Sequence, residues 1–99
     1  MLAINLCADI KRRHTMDKTI YTKTYEALLK LLIARREAAG LTQTDLGKRL
    51  GETQSFISKC ERGERRLDVI ELRMWCEALG LSLDKFVRDL EKACSAIVK

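Results

Sequence analysis

The 99-residue chain has no proline and only five glycines, so little in it breaks a helix. Ala, Leu, Glu, Lys and Arg dominate instead, a mixture that favours helices over strands and predicts an all-α domain. A single histidine, His14, stands with no Asp or Ser around it in a recognisable motif, which leaves neither a catalytic triad nor a metal site anything to rest on. The four cysteines, Cys7, Cys60, Cys76 and Cys94, share no C-x-x-C or Cys/His spacing. No zinc site, redox dithiol or bound cofactor is therefore expected, and the cysteines read as free thiols in a reducing cytoplasm. Long apolar runs are also missing. At 46% hydrophobic and 33% charged residues, the chain can fill a core, but its charges are too evenly spread for a membrane span. The short run Met1-Leu2-Ala3-Ile4 comes before Lys11-Arg12-Arg13, the reverse of the order in an export signal, so a cytoplasmic protein is expected. The length itself allows one small domain and argues against a two-domain enzyme.

Nineteen basic against fourteen acidic residues give a net charge of +5. The basic excess lies in residues 1–66, whereas residues 67–99 hold five basic against six acidic side chains. Such a distribution suits a polyanionic partner.

Five helices are legible. From Thr24 to Ala39, Tyr25, Leu28, Leu32 and Ala39 recur at helical spacing, with Leu29 and Ile33 widening the stripe and Gly40 as a stop. Thr42 with Asp45 forms a capping-box pattern for a short second helix, with Leu46 and Leu50 inward and Gly51 at its end. Thr53 caps a third helix from Gln54 to Glu61, with Ile57 and Cys60 inward and a polar outer face of Gln54, Ser55, Ser58 and Lys59. A second capping box, Asp68 with Glu71, starts a fourth helix at Val69 that ends near Gly80, and Leu67 and Leu72 hold the positions of a hydrophobic staple. Ser82 caps a fifth helix from Leu83 to Cys94, with Leu83, Phe86, Val87 and Leu90 inward. Residues 1–23 show no sustained period and read as an irregular N-terminal arm, in which Met16 is a candidate alternative start. Residues 24–94 then form the domain and 95–99 a C-terminal tail. The apolar end through Ile97 and Val98 is a candidate dimer surface.

Two short helices joined by a tight glycine-containing turn, the second with a polar outer face, have the arrangement of a helix-turn-helix. The residues are Gly40-Leu41-Thr42-Gln43-Thr44-Asp45-Leu46-Gly47-Lys48-Arg49-Leu50-Gly51, then Thr53-Gln54-Ser55-Phe56-Ile57-Ser58-Lys59-Cys60-Glu61-Arg62-Gly63, then Ala78-Leu79-Gly80. Over roughly residues 24–90 this resembles the lambda-repressor-like, Cro-type (XRE-type) family of DNA-binding regulators.

The resemblance implies a compact five-helix domain that puts its third helix into the major groove of double-stranded DNA. Gln54, Ser55 and Lys59 would read bases there: an amide can pair with adenine, a lysine can donate to guanine, and a serine can serve several bases. Thr42, Gln43, Ser58 and Arg62 would touch the sugar-phosphate backbone, with Arg65 and Arg66 extending the basic loop. Lys48 and Arg49 could add charge. Arg36 and Glu61 match a pair that forms an internal salt bridge in some members, so both read as structural. Phe56 and Trp75 read as packing residues, Cys60 and Cys76 as small buried hydrophobes, and His14 as a bystander. Gly47 stands where the family prefers alanine, at a cost of about 1 kcal/mol in helix propensity. The expected function is that of a non-enzymatic transcriptional regulator, a repressor acting as a homodimer by operator occupancy. The alternative is an antitoxin-like or adaptor protein that acts mainly through a protein partner.

Overall fold

Caps decide where the helices begin. In the computed structural model, which describes residues 14–98 and their side chains from residue 22 to residue 97, Thr42 has extended backbone (φ −80°, ψ 171°) and its hydroxyl accepts from the Asp45 amide. The Asp45 carboxylate accepts from the Thr42 N–H in return, at 3.0 Å, so two amides without helical partners are satisfied reciprocally. Asp68 and Glu71 repeat the arrangement, and the Thr53 hydroxyl accepts from Phe56 N at 3.0 Å.

The helices are α1 (His14–Ala38), α2 (Gln43–Leu50), α3 (Gln54–Glu61), α4 (Val69–Ala78) and α5 (Leu83–Val98). No strand occurs among the described residues. The all-α, five-helix expectation holds, and the starts of α2, α3 and α4 fall where their caps place them.

Two ends differ from the sequence expectation. Helix α1 begins at His14 instead of Thr24, so residues 14–23 are helical and not part of an irregular arm. No proline or glycine interrupts them; they lack only the apolar period by which a buried helix is recognised. The rest of the expected arm, with Cys7, lies outside the described residues, as does the side chain of His14. Helix α5 runs on through Val98, so residues 95–98 continue the last helix.

The core gathers Leu28, Leu32, Leu46, Ile57, Cys60, Leu72, Trp75, Cys76, Leu79 and Phe86, with Tyr25, Leu50, Phe56 and Leu67 packed against it. Both staple positions thus reach the same cluster. Two inward assignments fail: Ala39 lies exposed just past the end of α1, and Val87 is 43% exposed, whereas Phe86 is 1% exposed. The stripe that packs is 83, 86 and 90, and a residue one step past 86 turns about 100° away from it.

Packing follows a simple plan. Helix α1 lies against α5 and α3, while α2 lies against α3 and α4. Arg35 ties α1 to α5 through Asp89 at 2.9 Å, and Arg49 ties α2 to the end of α4 by donating to the Ala78 carbonyl at 2.8 Å. That carbonyl belongs to the last turn of α4, where a cation is favoured by the helix dipole. Helix α3 is left with one side on the core and the other facing outward.

Candidate nucleic-acid interface

The turn that aims α3 is tight. Helix α2 ends on Gly51 in the left-handed conformation (φ 71°), and Glu52 N–H folds back to donate to the Gly47 carbonyl at 2.8 Å. A Cβ on Gly47 would stand 2.7 Å from the Glu52 carbonyl oxygen and 3.3 Å from that of Thr53. Those are backbone atoms, which cannot step aside singly. Glycine at this position is therefore favoured by the close approach of the turn, a constraint that outweighs its propensity cost.

From the core outward, a chain of hydrogen bonds supports the exposed end of α3. Arg36 is buried and grips Glu61 with two bonds, Nε to Oε2 at 2.7 Å and Nη2 to Oε1 at 3.1 Å, while its Nη1 donates to the Leu41 carbonyl at 2.9 Å. Glu61 Oε1 also accepts from Gln43 Nε2 at 2.8 Å, and Gln43 Oε1 accepts from Gln54 Nε2 at 2.6 Å. The Arg36–Glu61 pair is structural, as expected. What the sequence did not reveal is that it continues through Gln43 to the first residue of α3, so two side chains assigned to DNA are held in register by two that were not. Only the placement of Glu61 beside the first turn of α2 discloses the link.

The outward face carries Gln54, Ser55 and Lys59, all exposed, with Ser58 half-buried at its edge. Just past the helix, Arg62 donates from Nη1 to Ser58 Oγ and from Nε to Glu64 Oε2 at 2.8 Å. The hydrogen-bonded Arg62 guanidinium draws the Glu64 carboxyl below its usual range, and Glu64 raises Arg62 in turn. Both side chains are more than half exposed, so the pair can open to an incoming anion at little cost.

Arg65 and Arg66, read from sequence as part of one basic loop, rest on aromatic rings. The Arg65 guanidinium lies 4.9 Å from the Phe56 ring centre and bonds Glu71 at 2.6 Å. Arg66 lies 4.3 Å from the Tyr25 ring centre, whose hydroxyl accepts from Leu67 N at 3.1 Å. Phe56 packs as expected and doubles as the platform for Arg65. Nearby, Arg36, Gly40, Leu41, Thr42, Gln43 and Gln54 help line an open concavity of about 530 Å³, at the amino-terminal ends of α2 and α3.

Two of the cysteines lie away from this face. Cys60 and Cys76 are buried, and burial pushes both thiols up from their ordinary range, away from the reactive thiolate. Among the described residues no group of His, Cys, Asp and Glu could hold a metal ion. No helix among them is long and apolar enough to cross a membrane.

Two short helices around a glycine turn, with a braced polar face on the second and cations beside it, define a helix-turn-helix domain of the kind that binds double-stranded DNA. The helix-turn-helix family profile matches residues 32–86, and the chain belongs to that XRE-type family. An XRE-family-like protein from Pseudomonas syringae pv. tomato str. DC3000 shares 48% identity at a TM-score of 0.73, over 78% of this chain and 94% of that one. An uncharacterized HTH-type transcriptional regulator, y4dJ, from Sinorhizobium fredii (strain NBRC 101917 / NGR234) is 43% identical over 47 residues. That match spans 48% of this chain and 61% of the relative. The clp gene regulator ClgR from Corynebacterium glutamicum, at 24% identity, shares the fold over 76% of this chain and 80% of its own, with a TM-score of 0.66.

Proposed function

We propose that the protein is a sequence-specific regulator of transcription, a repressor that works by occupying its operator as a homodimer with α3 in the major groove. The observation that carries this reading is the exposed Gln54–Ser55–Lys59 face, braced through Gln43 and Glu61 to buried Arg36. A rigid reader loses little entropy on docking, and a polar face of mixed donors and acceptors suits base edges. Thr42 and Gln43 would meet phosphate at the amino terminus of α2, where backbone N–H groups favour an anion, and Ser58, bonded by Arg62, would lie beside the same backbone farther along α3. Arg62, Arg65 and Arg66 supply the charge that strengthens binding to any sequence. The action is occupancy in the cytoplasm, without catalysis.

Selection from a random duplex library at near-physiological salt tests this reading. Enrichment of an inverted repeat with half-sites about 34 Å apart is expected. Salt-sensitive binding with no enriched sequence would overturn it. That outcome would favour the second reading, an antitoxin-like or adaptor protein bound to a protein partner, for which the exposed Val87 and Ile97 of α5 offer apolar contacts. DNA-led binding weakens steeply with salt and is weakened further in Arg62→Ala, and protein-led binding is not.

A further inference from the structure

Helix α4 turns its Cys76 and Trp75 inward, yet Val69, Ile70 and Met74 on the same helix are 61%, 63% and 47% exposed. Ile70 and Met74 stand one turn apart on one face, so they form a continuous apolar ridge. Beside the ridge lies a hollow of about 100 Å³ walled by Leu50, Phe56, Met74 and Trp75, with Glu52 and Glu71 at its rim. That volume is about three times a water's share of the liquid, room for one aliphatic side chain. Ridge and hollow adjoin on one surface, which is the geometry a two-fold contact requires, because each copy must offer both the knob and the hole.

The charges agree with that arrangement. Arg73, on the ridge side of α4, meets Glu77 only at 3.8 Å, with both side chains more than 60% exposed. Glu71, at the same rim as Glu52, is already engaged by Arg65 at 2.6 Å. Glu52 is exposed and has no ion-pair partner among the described residues. The surface therefore holds a weakly engaged cation beside the knob and an unpaired anion beside the hole.

We infer that this face of α4 is where a second copy of the chain docks, Ile70 of each protomer entering the other's Leu50–Phe56–Trp75 hollow with Arg73 crossing to Glu52. The inference deepens the homodimer proposed above and rests on it. The interface is small and belongs to the weak class, so the dimer forms at high protein concentration even without DNA. Because Phe56 lies within a turn of Gln54 and Ser55, the contact sets the relative placement of the two reading helices.

Sedimentation equilibrium of the full chain, run to its solubility limit without DNA, tests the assignment. A concentration-dependent dimer is expected for the native chain. Ile70→Asp and Met74→Asp remain monomeric with unchanged circular dichroism and melting, since neither residue is buried. Arg73→Glu weakens the dimer about tenfold, and Glu52→Arg in the same chain returns it to within about threefold of the native strength. Val87→Asp, on α5, changes nothing. A native chain that stays monomeric throughout, an Ile70→Asp chain that dimerises normally, or a dimer dissolved by Ile97→Asp alone overturns the inference. Self-association is read without DNA and the duplex selection without reference to this interface, so the two proposals fail separately.

Discussion

Two neighbouring residues at the end of α3 enter arginine–glutamate pairs of opposite kinds. Glu61 is buried and bonded twice by Arg36. Arg62, the next residue, pairs with Glu64 in the open, both side chains more than half exposed. The chemistry is the same and the consequence is not. Inside, losing one partner leaves a charge in a medium that solvates it badly, so the pair fixes the root of α3. Outside, water replaces either partner at little cost, and the Arg62 cation can be handed to a phosphate. One pair holds α3 still, and the other keeps an exposed charge beside its outward face.

The comparison is broken most severely from the inside. Arg36→Ala strands the Glu61 carboxylate and is expected to cost about 3–5 kcal/mol in urea unfolding; a loss below about 1 kcal/mol would mean that water reaches the pair. Gly47→Ala comes next. The added Cβ meets the Glu52 carbonyl at 2.7 Å, so the about 1 kcal/mol gained in helix propensity is reversed and the chain loses about 1–3 kcal/mol. A stabilised variant would show that the turn yields more readily than its geometry implies.

On the outer side the expected effects fall on DNA and leave the fold alone. Gln54→Ala or Lys59→Ala relaxes base preference at one position by about 1–3 kcal/mol, read by competition between duplexes differing at that base pair. Arg62→Ala weakens all duplexes alike, lowers the slope of affinity against salt by about one, and leaves the melting temperature in place. If it altered base preference, the backbone role would fall.

The smallest effect is a matter of acid. The Asp45 carboxyl is held below its model-peptide range chiefly by the Thr42 backbone N–H, Glu71 chiefly by the Arg65 side chain and then by the Asp68 N–H, and Glu64 by Arg62. Each binds its proton less readily folded than unfolded. The stability they contribute is therefore complete above the ordinary carboxylate range and is lost as pH falls below it. Melting curves should stay flat from neutrality to about pH 5 and decline below about pH 4. Asp45→Asn should shrink that decline, and a chain whose decline is unchanged would remove the capping box from the account.

Much of this was written in local patterns. Caps at Thr42, Thr53 and Asp68 announced three helix starts because capping involves residues three apart and needs nothing distant. The stripe Leu28–Leu32 and the inward Ile57 and Cys60 followed from period alone. Helix α1 was read too short because residues 14–23 lack an apolar period, and Val87 was turned inward because periodicity gives a face only to within a residue or so.

The sequence by itself thus determined which segments are helical from their caps and stripes, which face of α3 is polar, and the family to which the chain belongs, since each depends on neighbours within a turn or two. Only the tertiary structure decided that a Cβ on Gly47 crowds the turn, that Arg36 reaches Gln54 through Glu61 and Gln43, that Arg65 and Arg66 rest on Phe56 and Tyr25, and that α4 leaves a ridge beside a hollow. Those facts join residues separated by many positions in the chain, and their distances exist only once the helices have packed.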